Sequence, residues 1–128
     1  MSMRKMEEQY ANHFWLMFDN DRLIAFVDGM VTNQPDLKDE MYDNAAMYDE
    51  NGEWQMIFGL NTLPEYRRNG YAGKLIKCAI KDARVQKRKG LVLTCKEKLI
   101  SYYSSFGFKS EGISESIHGN AVWYQMRL

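Results

Sequence analysis

The chain is expected to fold as an α/β (α+β) layered structure, with a mixed, mostly antiparallel sheet and flanking helices. Three observations lead there. Short runs rich in aromatic and branched residues, separated by Asn, Asp and Gly turns, read as strands. One long segment, Ala72 to Lys89, places Leu75, Ile76, Ala79, Ile80 and Ala83 at helical spacing. That helix lies between two apolar runs, Trp54 to Leu63 and Leu91 to Cys95, and right-handed crossovers of this kind leave the joined strands parallel.

The elements follow in order. Residues 2 to 10 are polar and helix-compatible, and read as the tail of a helix or a frayed start. Phe14 to Phe18 and Leu23 to Val27, separated by Asp19-Asn20-Asp21, read as a hairpin whose second arm continues to about Val31. From Thr32 to Gly52 the composition shifts to Asp, Asn, Glu and Tyr, with Pro35 as a breaker, Asn51-Gly52 as a turn and a short helix around Asp39 to Met47. Connections longer than roughly 12 to 15 residues are uncommon unless they have a function. Trp54 to Leu63 is mostly apolar and belongs in mid-sheet. Helix 72 to 89 ends at Gly90 as its cap, Leu91 to Cys95 is a buried strand, and Glu97 to Ser105 a short helix. Phe108 onward is strand again, and His118-Gly119-Asn120 turns a last hairpin between Ile113 to Ile117 and Ala121 to Met126. Without repeats, low-complexity segments or a composition break, residues 1–128 read as one domain.

Composition narrows the partners. With 45% hydrophobic and 13% aromatic residues the chain can build a core. Its 17 basic and 17 acidic residues cancel, so net charge calls for neither nucleic acid nor an anionic membrane. Cys78 and Cys95 lack metal or redox spacing and read as buried, reduced thiols, which points to the cytoplasm and to no metal. No apolar run approaches the roughly 18 residues of a membrane span, and Met1 to Tyr10 has no signal-peptide stretch.

Arg67-Arg68-Asn69-Gly70-Tyr71-Ala72-Gly73-Lys74 stands where a strand turns into the long helix. Small residues at 70, 72 and 73 let the backbone turn tightly, and the first amides of a helix have no intrahelical acceptor. Such a turn takes an anion, a phosphate above all; the alternative is a solvated turn with two surface arginines. A nucleotide phosphate loop is excluded, since it needs Gly, four residues, then Gly-Lys-Ser/Thr.

Arg67, Gly70 and Ala72 match the pattern Gln/Arg-x-x-Gly-x-Gly/Ala after a Pro64-Glu65-Tyr66 lead-in, and Tyr103 stands four residues before Gly107-Phe108. Together these resemble the two acyl-CoA signatures of the GNAT superfamily of N-acetyltransferases. Leu91 to Phe108, with Thr94-Cys95 leading into Leu99 and Tyr103, looks most similar to the arylalkylamine N-acetyltransferase branch. The resemblance implies a GNAT fold in which strands 54 to 63 and 91 to 95 splay apart and admit the pantetheine arm of acetyl-CoA. It also implies transfer of an acetyl group to a primary amine, on a small molecule or a protein. Leu60, Asn61 and Thr62 then pair with pantetheine, the backbone of Arg68, Asn69, Gly70, Tyr71, Ala72, Gly73 and Lys74 takes the pyrophosphate, Arg67 and Lys74 approach the phosphates, and Tyr103 protonates the departing thiolate.

Three departures accompany it. The family begins with a further strand and one or two helices, whereas at most a helix fragment is expected before Asn12, so the N-terminal strand and helix look missing. Lys96 stands where relatives carry an Asn at the pantetheine. Gln55, Met56 and Phe58 stand where relatives carry a basic Glu or His.

Acyl transfer needs a neutral amine and a proton for the thiolate. Tyr103, a phenol with an ordinary pKa near 10, holds its proton at neutral pH; read without its neighbours it is sooner an amphipathic core residue with its hydroxyl at the surface. Glu53 is the nearest carboxylate on the third strand and acts through water, or no protein base is used and the amine deprotonates into solvent. His13 and His118 read as structural or turn residues, with lining of the acceptor side as the alternative for His118. Asp36, Asp39, Glu40, Asp43, Asp49, Glu50 and Glu53 make the long connection acidic, which either draws a cationic amine or only keeps the loop soluble. Without a first strand, Phe14 to Phe18 forms an unpaired apolar edge, from which a homodimer is expected. A non-catalytic acyl-CoA-binding or sensing domain is the alternative to the enzyme.

Overall fold

A computed structural model describes residues 1–7 and 12–128. Its strands are β1 (Ser2–Glu7), β2 (Asn12–Asp19), β3 (Arg22–Thr32), β4 (Trp54–Ile57), β5 (Gly59–Thr62), β6 (Gly90–Cys95), β7 (Lys109–Ile113) and β8 (Tyr124–Arg127). The helices are α1 (Tyr71–Val85) and α2 (Ile100–Ser104). One mixed sheet runs β1-β2-β3-β4-β6-β8-β7, with β5 paired to β3. The parallel pair is β4 with β6, from Trp54↔Gly90 to Ile57↔Leu93, as the crossover through α1 demands.

The N-terminal segment is the first correction. Ser2–Glu7 is a strand, not a helix remnant, and pairs antiparallel with β2 from Ser2↔Phe18 to Glu7↔His13; residues 8 to 10 of the expected helix lie outside the described residues. Edge strands favour charged side chains whose stems cover the neighbour. Here the Arg4 guanidinium lies 4.5 Å from the centre of the Phe18 ring and Lys5 Nζ 5.7 Å from that of Trp15. The expected gap in the sheet is therefore filled, and β2 lies between β1 and β3. Its edge is not open, so the argument for a dimer through Phe14 to Phe18 loses its premise. Residues 8–11 connect β1 to β2.

Two cores cover the two faces of the sheet. On one face α1 buries Leu75, Ile76, Ala79, Ile80 and Ala83 against Trp15, Val27, Leu91 and Leu93. Each large apolar side chain buried there stabilises by about 1.5–3 kcal/mol. Trp15 Nε1 donates to Asp82 Oδ2 at 2.7 Å and fixes the helix on β2. On the other face, Leu37 and Met41 from the long connection pack on Met30, Met56 and Val92. That connection holds two 3-10 turns, Asp39–Tyr42 and Ala45–Met47, in place of one short helix.

Three boundaries differ from expectation. The run from Trp54 breaks at Phe58, so the expected third strand is two strands, β4 and β5. Helix α1 ends at Val85; Lys87 (φ 60°) makes the reversal assigned to Gly90. Gly90 instead opens β6, where a Cβ would lie 2.1 Å from the Leu128 carbonyl oxygen. The last hairpin pairs Lys109–Ile113 with Tyr124–Arg127 rather than 113 to 117 with 121 to 126. Asp39 explains this: it accepts bonds from Ser116 Oγ (2.5 Å) and the Ile117 amide (3.1 Å), drawing that segment out of the ladder. Among the described residues, no helix is long and apolar enough to cross a membrane.

Candidate functional site

The site is a wedge in the sheet. Bonds between β4 and β6 end at Ile57↔Leu93; beyond them β5 pairs with β3, while Thr94 and Cys95 of β6 pair with β8. The side of β5 turned from β3 has no strand partner among the described residues. Phe58 and Gly59 form the apex. Val27 and Leu60 are paired and pack on the α1 face, whereas the pairs Phe26↔Asn61 and Asp28↔Gly59 point to the opposite face.

On the α1 face the wedge meets the glycine-rich turn. Gly70 adopts φ 76°, ψ 12° as the N-cap of α1, and no side chain caps the helix. Arg68 is also left-handed, with φ 66°. Asn69 Nδ2 donates to the carbonyls of Tyr66 (3.1 Å) and Arg67 (3.2 Å), so it braces the turn rather than blocking the amides. Arg67 Nε donates to the Thr62 carbonyl at 3.3 Å and ties the turn to β5. Thr62, Arg67, Gly70, Tyr71, Ala72 and Tyr102 line a cleft of about 250 Å³. Gly73 is needed for a close approach, since a Cβ there would lie 3.3 Å from Phe106 Cζ and 3.7 Å from Tyr102 Oη. Lys74 Nζ stays 5.8 Å from the Tyr71 ring centre.

Tyr103 reaches the same face from α2. It is 7% exposed, edge-on to Phe108, with ring centres 6.1 Å apart. Burial first, then Cys95 and Tyr102, push its phenol up to about 12. Burial also raises the Cys95 thiol. Tyr102 turns to the glycine-rich turn and is 38% exposed.

Other candidates fall elsewhere. Glu53 precedes β4, at the end of that strand remote from the apex, and pairs with Lys89 at 2.9 Å; it is not brought together with Tyr103. Lys96 follows β6 with Nζ 5.9 Å from the Trp123 ring centre. His13 is buried on β2, with Nε2 3.4 Å from Glu50 Oε2, a structural position. Much of the acidic connection is committed internally: Asp36 to Arg127, Asp39 to Ser116 and Ile117, Asp49 to Asn33, Glu50 to Arg88.

The residue that sequence reasoning missed is Asp28. Its carbonyl accepts the Phe58 N–H at 2.7 Å, and its carboxylate accepts the Gly59 N–H at the apex. Burial raises its pKa, opposed by the Gly59 amide and its own. Tyr42 and Tyr48 are raised by burial and by the charge of Asp28. The Tyr42 ring lies 4.5 Å from Phe58 and 5.9 Å from His118, and its hydroxyl is hydrogen-bonded to the Thr94 side chain. A lone Asp inside Leu23 to Val31 was the available signal, sharing strand parity with Phe26 and Met30.

The family model described as the acetyltransferase (GNAT) family matches residues 2–108. The chain belongs to the GNAT family. As a GNAT-family acetyltransferase it shares its fold with solved structures. A GNAT acetyltransferase from Streptococcus pneumoniae aligns with TM-score 0.66 and 18% identity, over 94% of this chain and 67% of that one. The loading GNATL domain of CurA from Lyngbya majuscula aligns with TM-score 0.72 and 12% identity, over 89% and 74%. Naa50 of Arabidopsis thaliana, in complex with the bisubstrate analogue CoA-Ac-MVNAL, aligns with TM-score 0.68 and 16% identity, over 90% and 71%. At these identities the likeness is one of fold. No curated protein matches the sequence. The GNAT family uses acetyl-CoA, and the uncapped helix start and unpartnered β5 edge have the chemistry to receive it. No group of three His, Cys, Asp or Glu among the described residues could hold a metal ion.

Proposed function

We propose that residues 1–128 act as one domain that moves an acetyl group from acetyl-CoA to a primary amine by direct attack. The observation that carries the reading is the parting of β5 from β6 at Phe58, directly beside an uncapped helix start at Gly70. The open edge of β5, at Leu60, Asn61 and Thr62, pairs with pantetheine, and the amides of Arg68 to Lys74 take the pyrophosphate. A charge at an exposed helix end is favoured by about 0.3–1 kcal/mol, so several directed amides rather than the dipole supply the binding. Arg67 and Lys74 stand around that path, while Lys96 lies over Trp123.

The amine nitrogen attacks the thioester carbonyl, the C–N bond forms, the C–S bond breaks, and the amine loses a proton. Tyr103 gives its proton to the departing sulfur. A phenol at about 12 keeps that proton until charge develops on the sulfur. A free thiol near 8.5 is a weak acceptor for it, but the burial that raises Tyr103 and Cys95 raises a thiolate beside them in the same direction. The arylalkylamine-type branch is supported by Leu91 to Phe108, and a reducing cytoplasmic setting by the free Cys78 and Cys95.

One observation favours a non-catalytic acyl-CoA-binding domain. β4 offers no base, since buried Gln55 spends its amide on the carbonyls of Met30 (3.3 Å) and Met56 (2.8 Å). Thiol release on a panel of amines, run beside calorimetry of acetyl-CoA binding, separates the two. Turnover above the amine-free rate supports the enzyme; tight binding without turnover on any amine supports the sensor.

A further inference from the structure

Helix α1 packs one face on the sheet and carries a row of cations on the other. Lys77, Lys81 and Arg84 stand at i, i+4 and i+7, all exposed, and this spacing sets them side by side along the helix. No carboxylate among the described residues pairs with any of the three. Asp82, the one acid of α1, is turned elsewhere: it accepts from Trp15 Nε1 at 2.7 Å and pairs with Lys5 at 3.7 Å. Only Arg84 lies in the last turn, where a cation suits the helix dipole. Lys77 and Lys81, four residues apart, repel each other, so nothing inside the chain accounts for the row.

The three cations rim a cleft of about 390 Å³ with an apolar floor, made by Ile80 and Val85 of α1 and by Phe106 just beyond α2. Val85 is 71% exposed, the most open large apolar side chain on either α-helix. The cleft runs away from the glycine-rich turn. At a rise of 1.5 Å per residue, Lys81 lies about 17 Å and Arg84 about 21 Å along the axis from Gly70. Most of the rim therefore stands well beyond the turn given to the pyrophosphate.

We propose that this cleft docks an acidic amphipathic helix of a partner protein: carboxylates at the same i, i+4, i+7 repeat meet Lys77, Lys81 and Arg84, and an apolar side chain enters between Val85 and Phe106. The free cations choose the sign of the occupant, and the floor chooses its class. A helix laid in a groove presents its anchors at i, i+3, i+4 and i+7, which is the repeat that α1 offers in cations. A nucleic acid would meet the rim through its phosphates and leave the apolar floor unfilled. With 17 basic and 17 acidic residues, the chain also has no net field to gather a polyanion. A bilayer surface is broad, whereas Ile80 is buried at the bottom of the cleft and only a narrow element reaches it. Exposed ion pairs add little affinity each, so the apolar anchor holds the helix while the charges select it. The docking adds a protein partner to the acetyl-transfer reading and does not depend on it.

The test uses the full chain and a synthetic helical peptide carrying Glu at i, i+4 and i+7 with Leu at i+3 and i+8, beside a scrambled peptide of the same composition. By fluorescence anisotropy the helical peptide should bind about tenfold or more tightly than the scramble, and it should shift the amide resonances of Lys81, Val85 and Phe106. The double variant Lys81→Glu, Arg84→Glu changes only exposed side chains and should keep the circular dichroism of the parent. It should lose about tenfold or more in peptide affinity and bind acetyl-CoA as the parent does. Val85→Ser, which removes the anchor's apolar neighbour and no charge, should weaken the peptide several-fold. No binding of the helical peptide, equal binding of the scramble, or binding that survives the charge reversal overturns the docking site. Displacement of the peptide by acetyl-CoA overturns it too, by giving the cleft to the coenzyme. Tighter binding of duplex DNA or of phosphatidylglycerol vesicles than of the peptide does the same, by giving the cations to phosphates.

Discussion

Gly59 and Asp28 are packed so closely that a Cβ on Gly59 would lie 2.5 Å from Asp28 Oδ1. The atom in the way is the end of a side chain, so Gly59→Ala costs a rotation of the carboxylate rather than a shift of β3. That rotation carries the carboxylate away from the Gly59 amide, which opposes the rise that burial gives its pKa. Gly59→Ala should therefore fold, with the circular dichroism of the parent and a melting temperature lowered by only a few degrees. A variant as poorly folded as one with a backbone clash would show that the carboxylate cannot give way. Gly29→Ala is the contrast, because its Cβ would lie 1.7 Å from the backbone oxygen of Met56 and must force β3 from β4; that variant should be poorly folded.

Asp28 also has a signature in stability. Its folded pKa is raised above the ordinary carboxylate value by burial. Below both values it is protonated folded or unfolded and contributes nothing; as pH climbs through 3.8 and then through the folded value, the folded state pays for holding a half-buried charge. Asp28→Asn removes that cost while its amide oxygen still accepts the Gly59 N–H. Its melting temperature should match the parent near pH 3 and equal or exceed it at pH 7. A less stable variant at pH 7 would make Asp28 a structural residue.

The parallel strand pair, the crossover helix and the glycine-rich turn were legible in the sequence because each rests on local chemistry: helical spacing at Leu75 to Ala83, small residues at Gly70 to Gly73, apolar runs at Trp54 and Leu91. β1 was not, because an edge strand buries little and its Arg4 and Lys5 carry no apolar alternation to read. The break at Phe58 was not, since partner exchange depends on where β3 and β6 end rather than on residue 58. Asp28 was passed over for the same reason: its place at the apex follows from its pairing with Gly59, which no local pattern announces.

Tyr103→Phe should lower kcat by about 100-fold or more, the lower end of what a positioned acid contributes, and leave the acetyl-CoA dissociation constant nearly unchanged. It has a second readout. With the folded phenol at about 12 against an ordinary 10, the two states bind equal protons below pH 10. Above it the unfolded chain ionises first, so stability falls until the folded phenol follows. Tyr42, Tyr48, Tyr66 and Tyr102 are raised too, so the variant should lessen rather than abolish alkaline destabilisation between pH 10 and 12. Turnover at the parent rate would remove Tyr103 from the reaction.

At Gly70 nothing in the protein lies within 4 Å of an added Cβ, so a side chain there meets no protein atom, but φ is 76°. Left-handed backbone costs an L residue roughly 1–2 kcal/mol, more when β-branched. Gly70→Val should therefore reshape the turn or occupy the space where phosphate oxygens approach. Its acetyl-CoA dissociation constant should rise more than tenfold, about 1.4 kcal/mol, by calorimetry. Unchanged affinity would dispose of the turn as the phosphate site.

The last expectation concerns β1. Ser2–Glu7 pairs with the whole of His13 to Phe18, so β2 has partners on both sides and its backbone amides from residues 14 to 18 should all be protected in hydrogen exchange. Antiparallel strands bond through alternate residues. Deleting residues 1 to 7 should therefore strip protection from every second amide of that segment, those aimed at β1, and leave the others bonded to β3. The bared strand, His13-Phe14-Trp15-Leu16-Met17-Phe18, is apolar and β-prone, with Arg4 no longer over Phe18. Such an edge recruits a second copy. The shortened chain should run as a dimer or larger by light scattering at concentrations where the 128-residue chain does not gain mass. A shortened chain that stays monomeric with all five amides protected would mean that something other than β1 closes this edge.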